Sequence, residues 1–280
     1  MNSRMVFKWC ALASLCVWQV STQAAMVAMV LDVKGQASIT YAGRTGAAQI
    51  ATSIQEDTKV DVGSGSQVSL VHYATREQLT VIGPAVVMVT PTGIKSVEGA
   101  QAQSRKLGDD QAKIATNYRG RVVPGALAMR GMRPPVEITY PHDGETVLDV
   151  ERAFAWEADD PHGKFQVRLF AGEKQVAEQT ITGANLAPAK LATFAPGITY
   201  RIRVAVGDEK PAEVKFTIAR PDQRQTLQAL KPKDRSSVEP WVLYAMALEV
   251  DGIVSEAKEA WSVVAQIRPD AAGVARRLAR

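Results

Sequence analysis

Three patterns of hydrophobic and polar residues follow one another along the chain. From 27 to 99, short apolar runs alternate with polar residues between glycine-containing turns, and a similar alternation returns from 135 to 219. From 236 to 280, apolar residues recur every three or four positions instead. A period of two is typical of half-buried strands, and a period near 3.6 is typical of an amphipathic helix. The sequence therefore predicts a mainly β protein with two β modules and a C-terminal α-helical hairpin.

The first β module, predicted over 26–102, contains three short motifs rich in glycine and valine. They are VKGQA at 33–37, DVGSGSQVSL at 61–70 and LTVIGPA at 79–85. Their order resembles the FecR-like domain of bacterial envelope proteins over about 75 residues. The resemblance implies a β-rich periplasmic module that contacts another envelope protein or a cell-wall polymer. It does not extend to the cytoplasmic helical segment and transmembrane helix of the family's sigma-factor regulators, so we do not expect anti-sigma activity.

The second β module, predicted over 135–220, has strand candidates at the spacing of a β-sandwich. The stretch 194–204 resembles the E-to-F corner of fibronectin type III and related immunoglobulin-like domains. That resemblance implies that the Tyr200 hydroxyl bonds back to the chain, that Ile202 and Val204 enter the core, and that Trp156 is buried between the sheets. The six predicted strands are 136–140, 153–157, 165–170, 175–181, 200–206 and 213–218.

Residues 103–134 lose the alternation, carry scattered charges and end in two prolines, which predicts a linker. Its arginines between 119 and 133 are candidates for contact with an anionic polymer, but a solvated connector is the favoured interpretation. Beyond Tyr118 no aromatic residue is interleaved with them, which argues against binding of single-stranded nucleic acid.

The helical hairpin, predicted over 236–280, has the spacing of one tetratricopeptide repeat. Ser237 is expected to cap its first helix, Pro240 to lie in the first turn, and Pro269 to end the second helix. A single repeat cannot bury its own apolar face, so the hairpin must pack on the second β module, dimerise or dock on a partner. The residues that carry the resemblance are Trp241, Ala245, Leu248, Gly252, Ala257, Trp261 and Pro269.

Three aromatic residues of this hairpin, Trp241, Tyr244 and Trp261, are the predicted partner-binding surface, because they exceed what one hairpin can hide alone. The competing interpretation is that all three pack against the sandwich.

The first 24 residues combine basic residues, a 12-residue apolar stretch and small residues before Ala24, which predicts a signal peptide cleaved near Ala24. Twelve apolar residues are too few to span a membrane, so no stable membrane insertion is expected after cleavage. Cleavage removes two basic residues and both cysteines, Cys10 and Cys16, leaving 31 Lys and Arg against 29 Asp and Glu. The expected mature protein is exported, thiol-free and nearly neutral, and its charge does not indicate a nucleic-acid partner.

Catalytic motifs are almost absent from the sequence. Its three histidines, His72, His142 and His162, are too far apart along the chain for a typical zinc motif, and no cofactor is expected. Two turns of the second β module, His142-Asp143 and Asp159-Asp160-Pro161-His162, could supply an acid and a base, although the same residue types are ordinary turn formers. No nucleophile elbow, phosphate-binding glycine loop or dinucleotide fingerprint is found.

Two functions follow from these modules. The favoured one is a non-enzymatic periplasmic adaptor or sensor that binds another envelope protein. The alternative is a protein that binds or hydrolyses cell-wall glycan, such as peptidoglycan, through carboxylates of the second β module. The sequence leaves the partner and the oligomeric state open.

Overall fold

A computed structural model describes residues 24–99, 101–118, 134–148 and 150–278. The predicted signal peptide, apart from Ala24, and the arginine-rich stretch 119–133 lie outside the described residues. Within the described part the chain is mainly β, as predicted, with helices concentrated toward its C-terminus. No helix in this part is both long and apolar enough to cross a membrane.

The first β module consists of two five-stranded antiparallel sheets packed face to face. We call the sheet ordered β10-β7-β6-β1-β4 the central sheet and the sheet ordered β3-β2-β5-β8-β9 the outer sheet. Their strands are β1 (Met26–Lys34), β2 (Ala37–Tyr41), β3 (Arg44–Ala47), β4 (Ser53–Gln55), β5 (Thr58–Val62), β6 (Gln67–His72), β7 (Glu77–Ile82), β8 (Ala85–Thr90), β9 (Gly93–Glu98) and β10 (Gln101–Lys106).

The glycine motifs of this module mark places where two backbones come close together. A Cβ atom built on Gly83 would lie 2.0 Å from the Gly63 carbonyl oxygen, so only glycine fits at position 83. The Gly83 amide donates to the Ser66 carbonyl at 2.9 Å. The motifs at 61–70 and 79–85 therefore hold the β5–β6 turn against the β7–β8 turn.

The central sheet is buried on both faces at strands β1 and β6, which the sequence analysis did not predict. Alternate residues of β1, including Ala28 and Val30, pack between the two sheets, whereas Met29 and Leu31 pack against helices. The helices are α1 (Asp109–Asn117), α2 (Pro221–Leu230), α3 (Glu239–Val250), α4 (Val254–Ile267) and α5 (Ala272–Leu278). We call them together the helical layer. The outer sheet, the central sheet and the helical layer form three consecutive layers.

The predicted boundaries of the linker and the helical hairpin need correction. Residues 103–118 are not a linker, because β10 completes the central sheet and α1 packs on α3. The two predicted helices of the hairpin are confirmed as α3 and α4, with Pro240 in the first turn of α3 and Pro269 after the end of α4. Ser237 is not the cap: Val238 is the N-cap residue of α3, and the Ser237 hydroxyl bonds to Glu239 instead.

The main packing surface of the hairpin also differs from the one expected. It is the central sheet of the first β module, reached through β1, and not the second β module. The chain thus leaves the first module after α1, forms the second module, and returns at α2 to cover the first.

The second β module pairs a three-stranded sheet, β11-β13-β16, with a five-stranded sheet, β12-β18-β17-β14-β15. All six predicted strands are confirmed, and β12 and β16 are additional. The strands are β11 (Val136–Tyr140), β12 (Glu145–Val147), β13 (Phe154–Ala158), β14 (Lys164–Ala171), β15 (Lys174–Thr182), β16 (Asn185–Leu186), β17 (Thr199–Val206) and β18 (Ala212–Ile218), with a short 3-10 turn at Pro188–Lys190.

Three local expectations for this module are confirmed. The Ala195 amide donates to the Tyr200 hydroxyl at 3.0 Å, which fixes the corner before β17. Ile202 and Val204 are fully buried, and Trp156 is 3% exposed. The module therefore has a core of its own, built from both of its sheets.

Candidate functional site

The three aromatic residues predicted to bind a partner are buried inside the chain. Trp241 is 9% exposed, Tyr244 6% and Trp261 1%. Their neighbours belong to the helical layer and to the central sheet. The three rings are therefore packed inside the chain, as the competing interpretation expected, but against the first β module and not against the sandwich. Contact between these rings and a partner would require the helical layer to open.

A polar cluster beneath α5 links four helices of this layer. The Glu249 carboxylate of α3 accepts hydrogen bonds from the Tyr118 hydroxyl after α1, at 2.6 Å, and from the Trp261 indole of α4, at 2.8 Å. Arg277 of α5 pairs with Glu249 at 2.9 Å and lies over the Trp261 ring, 4.8 Å from its centre. Burial, together with Glu249, raises the pKa of Tyr118. The cluster holds a neutral phenol between a carboxylate and a guanidinium, and its evident role is structural.

A second buried polar contact ties the helical layer to the central sheet. Arg268, after α4, forms an ion pair with Asp32 of β1 and also donates to the Val33 carbonyl. Both side chains are buried, at 9% and 3% exposure, and Asp270 accepts a further bond from Arg268 at 2.8 Å. A buried guanidinium and carboxylate need partners for most of their polar atoms, so this contact fixes where the end of α4 meets β1.

A buried carboxylate marks the junction between the second β module and the helical layer. Glu145 of β12 is 1% exposed. Its two oxygens accept the His142 amide at 2.8 Å and the Ser255 amide, in the first turn of α4, at 2.6 Å. The unpaired amides at a helix N-terminus favour a negative charge there. The Thr146 amide donates to the Gly252 carbonyl at 2.9 Å, so β12 is also bonded directly to the turn between α3 and α4.

Two more carboxylates lie near this junction. Glu259 pairs with Arg152 of the second module at 2.9 Å, and Arg152 lies over the Tyr140 ring, 4.3 Å from its centre. Burial raises the pKa of Glu256, and the charges of Glu145 and Glu259 raise it further against the opposing charge of Arg152. The junction therefore concentrates negative charge in a partly desolvated place.

The candidate catalytic residues take part in ordinary local structure. His72 is buried, where its Nε2 bonds the Thr90 carbonyl at 2.8 Å and its Nδ1 accepts the Thr75 amide at 3.2 Å. Asp160 accepts the His162 amide at 3.0 Å within its own turn, next to the exposed Asp159. Among the described residues, no group of three or more His, Cys, Asp or Glu side chains is arranged to hold a metal ion.

The outer sheet carries an open groove of about 580 Å³ beside its edge strand β3. We call it the β3 groove. Its walls are mostly glycine, alanine and small hydroxyl side chains, with one carboxylate, Asp61, which pairs with Lys59 at 3.8 Å on the exposed face. The residues that line it are Val33, Gly35, Gln36, Ala37, Ser38, Thr45, Gly46, Ala47, Ala48, Asp61 and Gly63.

The strand beside the groove is exposed along its whole length. All four residues of β3 are exposed, and β3 pairs only with β2 in the outer sheet. An edge strand of this kind presents backbone N–H and C=O groups that can pair with another chain. The sequence analysis missed the groove, because its lining residues are spread over three segments, 33–38, 45–48 and 61–63, and carry no distinctive chemistry.

Comparisons with known proteins add no family. No protein-family model matches the chain, and no curated protein matches it.

Proposed function

We propose that the chain is a non-enzymatic adaptor or sensor of the bacterial envelope that binds another envelope protein. In this proposal the signal peptide directs export and is cleaved near Ala24. Residues 26–102, extended by β10, form a FecR-like module, and residues 135–220 form an immunoglobulin-like β-sandwich. Two packed sheets of three and five strands, together with the hydroxyl bond of Tyr200, support the second assignment.

The observation that carries the proposal is that the two sheets of the first module are covered to different extents. The central sheet is covered by the outer sheet on one face and by the helical layer on the other. The outer sheet keeps one face exposed, with Lys59 and Asp61 on it, and carries the β3 groove. A partner surface on the first module therefore belongs on the outer sheet, away from the aromatic residues of the hairpin.

Cross-linking in cells tests the adaptor function. A photoreactive phenylalanine derivative would replace, one at a time, Lys59 on the outer sheet, Val97 on β9 and Val176 on β15, which are all exposed. We expect position 59 to give a discrete adduct with another envelope protein, identified by mass spectrometry. Absence of an adduct from all three positions would contradict the proposal. Release of soluble fragments from purified peptidoglycan would favour the glycan-acting alternative instead.

A further inference from the structure

We propose that the exposed face of the outer sheet binds the same face of a second copy of the chain, forming a twofold dimer. The inference goes beyond the adaptor function, which leaves the oligomeric state open. It also bears on that function, because the dimer covers the surface on which the envelope partner is placed. The partner and the second copy therefore compete for one face.

The exposed face carries its charges in two rows that cross the strands. The strand register places one residue from each of β3, β2, β5, β8 and β9 in each row. We call them the acidic row and the basic row after their charged members. The acidic row is Ala47, Ser38, Asp61, Val86 and Glu98, and the basic row is Thr45, Thr40, Lys59, Met88 and Lys95.

Both rows lie on the side of the outer sheet that faces away from the central sheet. Side chains alternate between the two faces of a strand, and the neighbours of the rows along β5 and β8 belong to the core between the sheets. The four charged side chains of the rows are exposed. The face therefore offers one line of negative charge and one parallel line of positive charge to an incoming surface.

A face with this arrangement is complementary to itself. A twofold axis parallel to the rows and midway between them places the acidic row of each copy over the basic row of the other. Each strand then lies over its own equivalent, so Asp61 faces Lys59 and Glu98 faces Lys95, and each contact occurs twice. Packed sheets are about 10 Å apart, a gap that a lysine and a carboxylate side chain bridge together.

The contacts within one chain leave these charges available to a second copy. Lys59 and Asp61 approach each other only to 3.8 Å, and their side chains are 47% and 51% exposed. Such an exposed pair contributes little to stability, so little is lost when both side chains turn toward the copy. Between the charged strands, β8 presents Val86 and Met88, which do not belong to the core between the sheets and meet across the axis.

The size of the face predicts a weak dimer. Five strands spaced about 4.8 Å apart, each about five residues long, cover about 400 Å² on each copy. Stable interfaces bury about 800 Å² on each partner, so this one is expected to form and dissociate with protein concentration. A weak dimer of this kind leaves the face accessible to a partner that binds more tightly.

The test is sedimentation velocity of the purified full chain over a range of concentrations. We expect a monomer–dimer equilibrium that shifts toward monomer as salt is raised, because salt screens exposed charges. Lys59→Glu with Lys95→Glu makes both rows acidic, and Asp61→Lys with Glu98→Lys makes both rows basic. Each variant alone should dimerise at least about tenfold more weakly, since four attractive contacts become repulsive. An equimolar mixture of the two should form a heterodimer.

Two further variants control for net charge and for folding. Lys174→Glu with Lys190→Glu makes the same change in net charge at exposed positions of the second module, and should dimerise like the unaltered chain. Lys59→Asp with Asp61→Lys exchanges the two charges on β5, which keeps the rows complementary, and should also dimerise. Unchanged melting temperatures would show that each variant is folded.

Several results would overturn the dimer. They are an unaltered chain that stays monomeric at about 1 mM, row variants that dimerise as well as the unaltered chain, and folded row variants that fail to associate when mixed. Association that does not weaken with salt would also contradict it, whether or not any variant folds.

These measurements use the purified chain alone, so their failure would leave the adaptor function standing. That function is tested by the adducts formed in cells. If second copies of the chain were the only adducts found there, the dimer would be supported and the adaptor function contradicted.

Discussion

The two β modules differ in how they are completed. The second module has one core between its own two sheets, and that core includes Trp156 and Tyr200. The first module has such a core as well, but its central sheet also needs the helical layer to cover Met29 and Leu31. The second module is therefore a self-contained insertion, and the first is half of a unit whose other half lies about 100 residues further along the chain.

This difference shows that order along the sequence is a poor guide to structural units. The sequence divides into two β modules and a tail, whereas the structure divides into a composite unit of 24–118 with 221–278 and an inserted sandwich. The junction between these two bodies includes polar contacts made by Glu145, Thr146 and Arg152, and Leu148 packs beside them against the core of the helical layer.

The largest expected effect comes from removing one buried tryptophan from each body. Trp261→Ala and Trp156→Ala should each lower the free energy of unfolding by about 4 kcal/mol, because both rings are almost fully buried. Hydrogen exchange should then separate them. Trp261→Ala should raise exchange in α3, α4 and also β1, whereas Trp156→Ala should raise it only within 134–220. If the β1 amides of Trp261→Ala kept their protection from hydrogen exchange, the first module would not depend on the helical layer in the way described.

The ion pair between Arg268 and Asp32 gives the next largest effect. Arg268→Met leaves a buried carboxylate unpaired and should cost about 3 kcal/mol in urea unfolding. Arg220→Met is the matched control, because the Arg220 pair with Asp222 is exposed and should contribute less than about 1 kcal/mol. Equal losses in the two variants would show that the contact between α4 and β1 does not hold the composite unit together.

The junction is expected to be weaker than either body. Glu145→Gln replaces a charged acceptor of two amides and should cost about 2 kcal/mol. We expect faster hydrogen exchange at the amides of His142 and Ser255, with the cores of both bodies unchanged. Glu209→Gln, in an exposed turn, serves as control. Faster exchange throughout the second module would mean that this module is not self-contained.

The smallest effect is a pH dependence at the same junction. Because the pKa of Glu256 is raised in the folded state, its contribution to stability is complete below its unfolded pKa and is lost as the pH rises through the folded value. Glu256→Gln should therefore raise the melting temperature at pH 7 relative to the unaltered protein, and the gap should close toward pH 4. A difference in melting temperature that grew as the pH was lowered would contradict the expected direction of this effect.

The sequence predicted those elements whose burial follows a simple period. The strands of the second module alternate strictly, as in β17, where Tyr200, Ile202 and Val204 face inward. Helix α4 was found for a similar reason, whereas α3 was found from the spacing of its larger apolar residues although eight consecutive residues, from Trp241 to Leu248, are buried. By contrast, β10 was missed because its described side chains are exposed on both faces, so no alternation marks it. The short helix α1 lies in a charged stretch and gains its burial by packing on α3 and α2.

One available signal did indicate the docking of the helices. Strand β1 reads MVAMVLDVK, and six consecutive residues, from Val27 to Asp32, are buried. A strand that is apolar at successive positions is typical of a sheet covered on both faces. Asp32 also lies in that run, but its pairing with Arg268 depends on tertiary structure. The β3 groove was beyond sequence reasoning, because it is formed by the relative placement of three segments.

The division of the composite unit imposes an order on biosynthesis. A ribosome releases β1–β10 and α1 first, then the whole second module, and only then the helices α2–α5. At 5–20 residues per second, about 100 intervening residues correspond to a delay of about 5–20 s. Throughout that interval one face of the central sheet is not yet covered by the helical layer. That face bears Met29, Leu31, Val71 and Tyr73. The newborn chain therefore carries an apolar, strand-rich surface of the kind that chaperones bind, and truncation before α3 makes that transient state permanent.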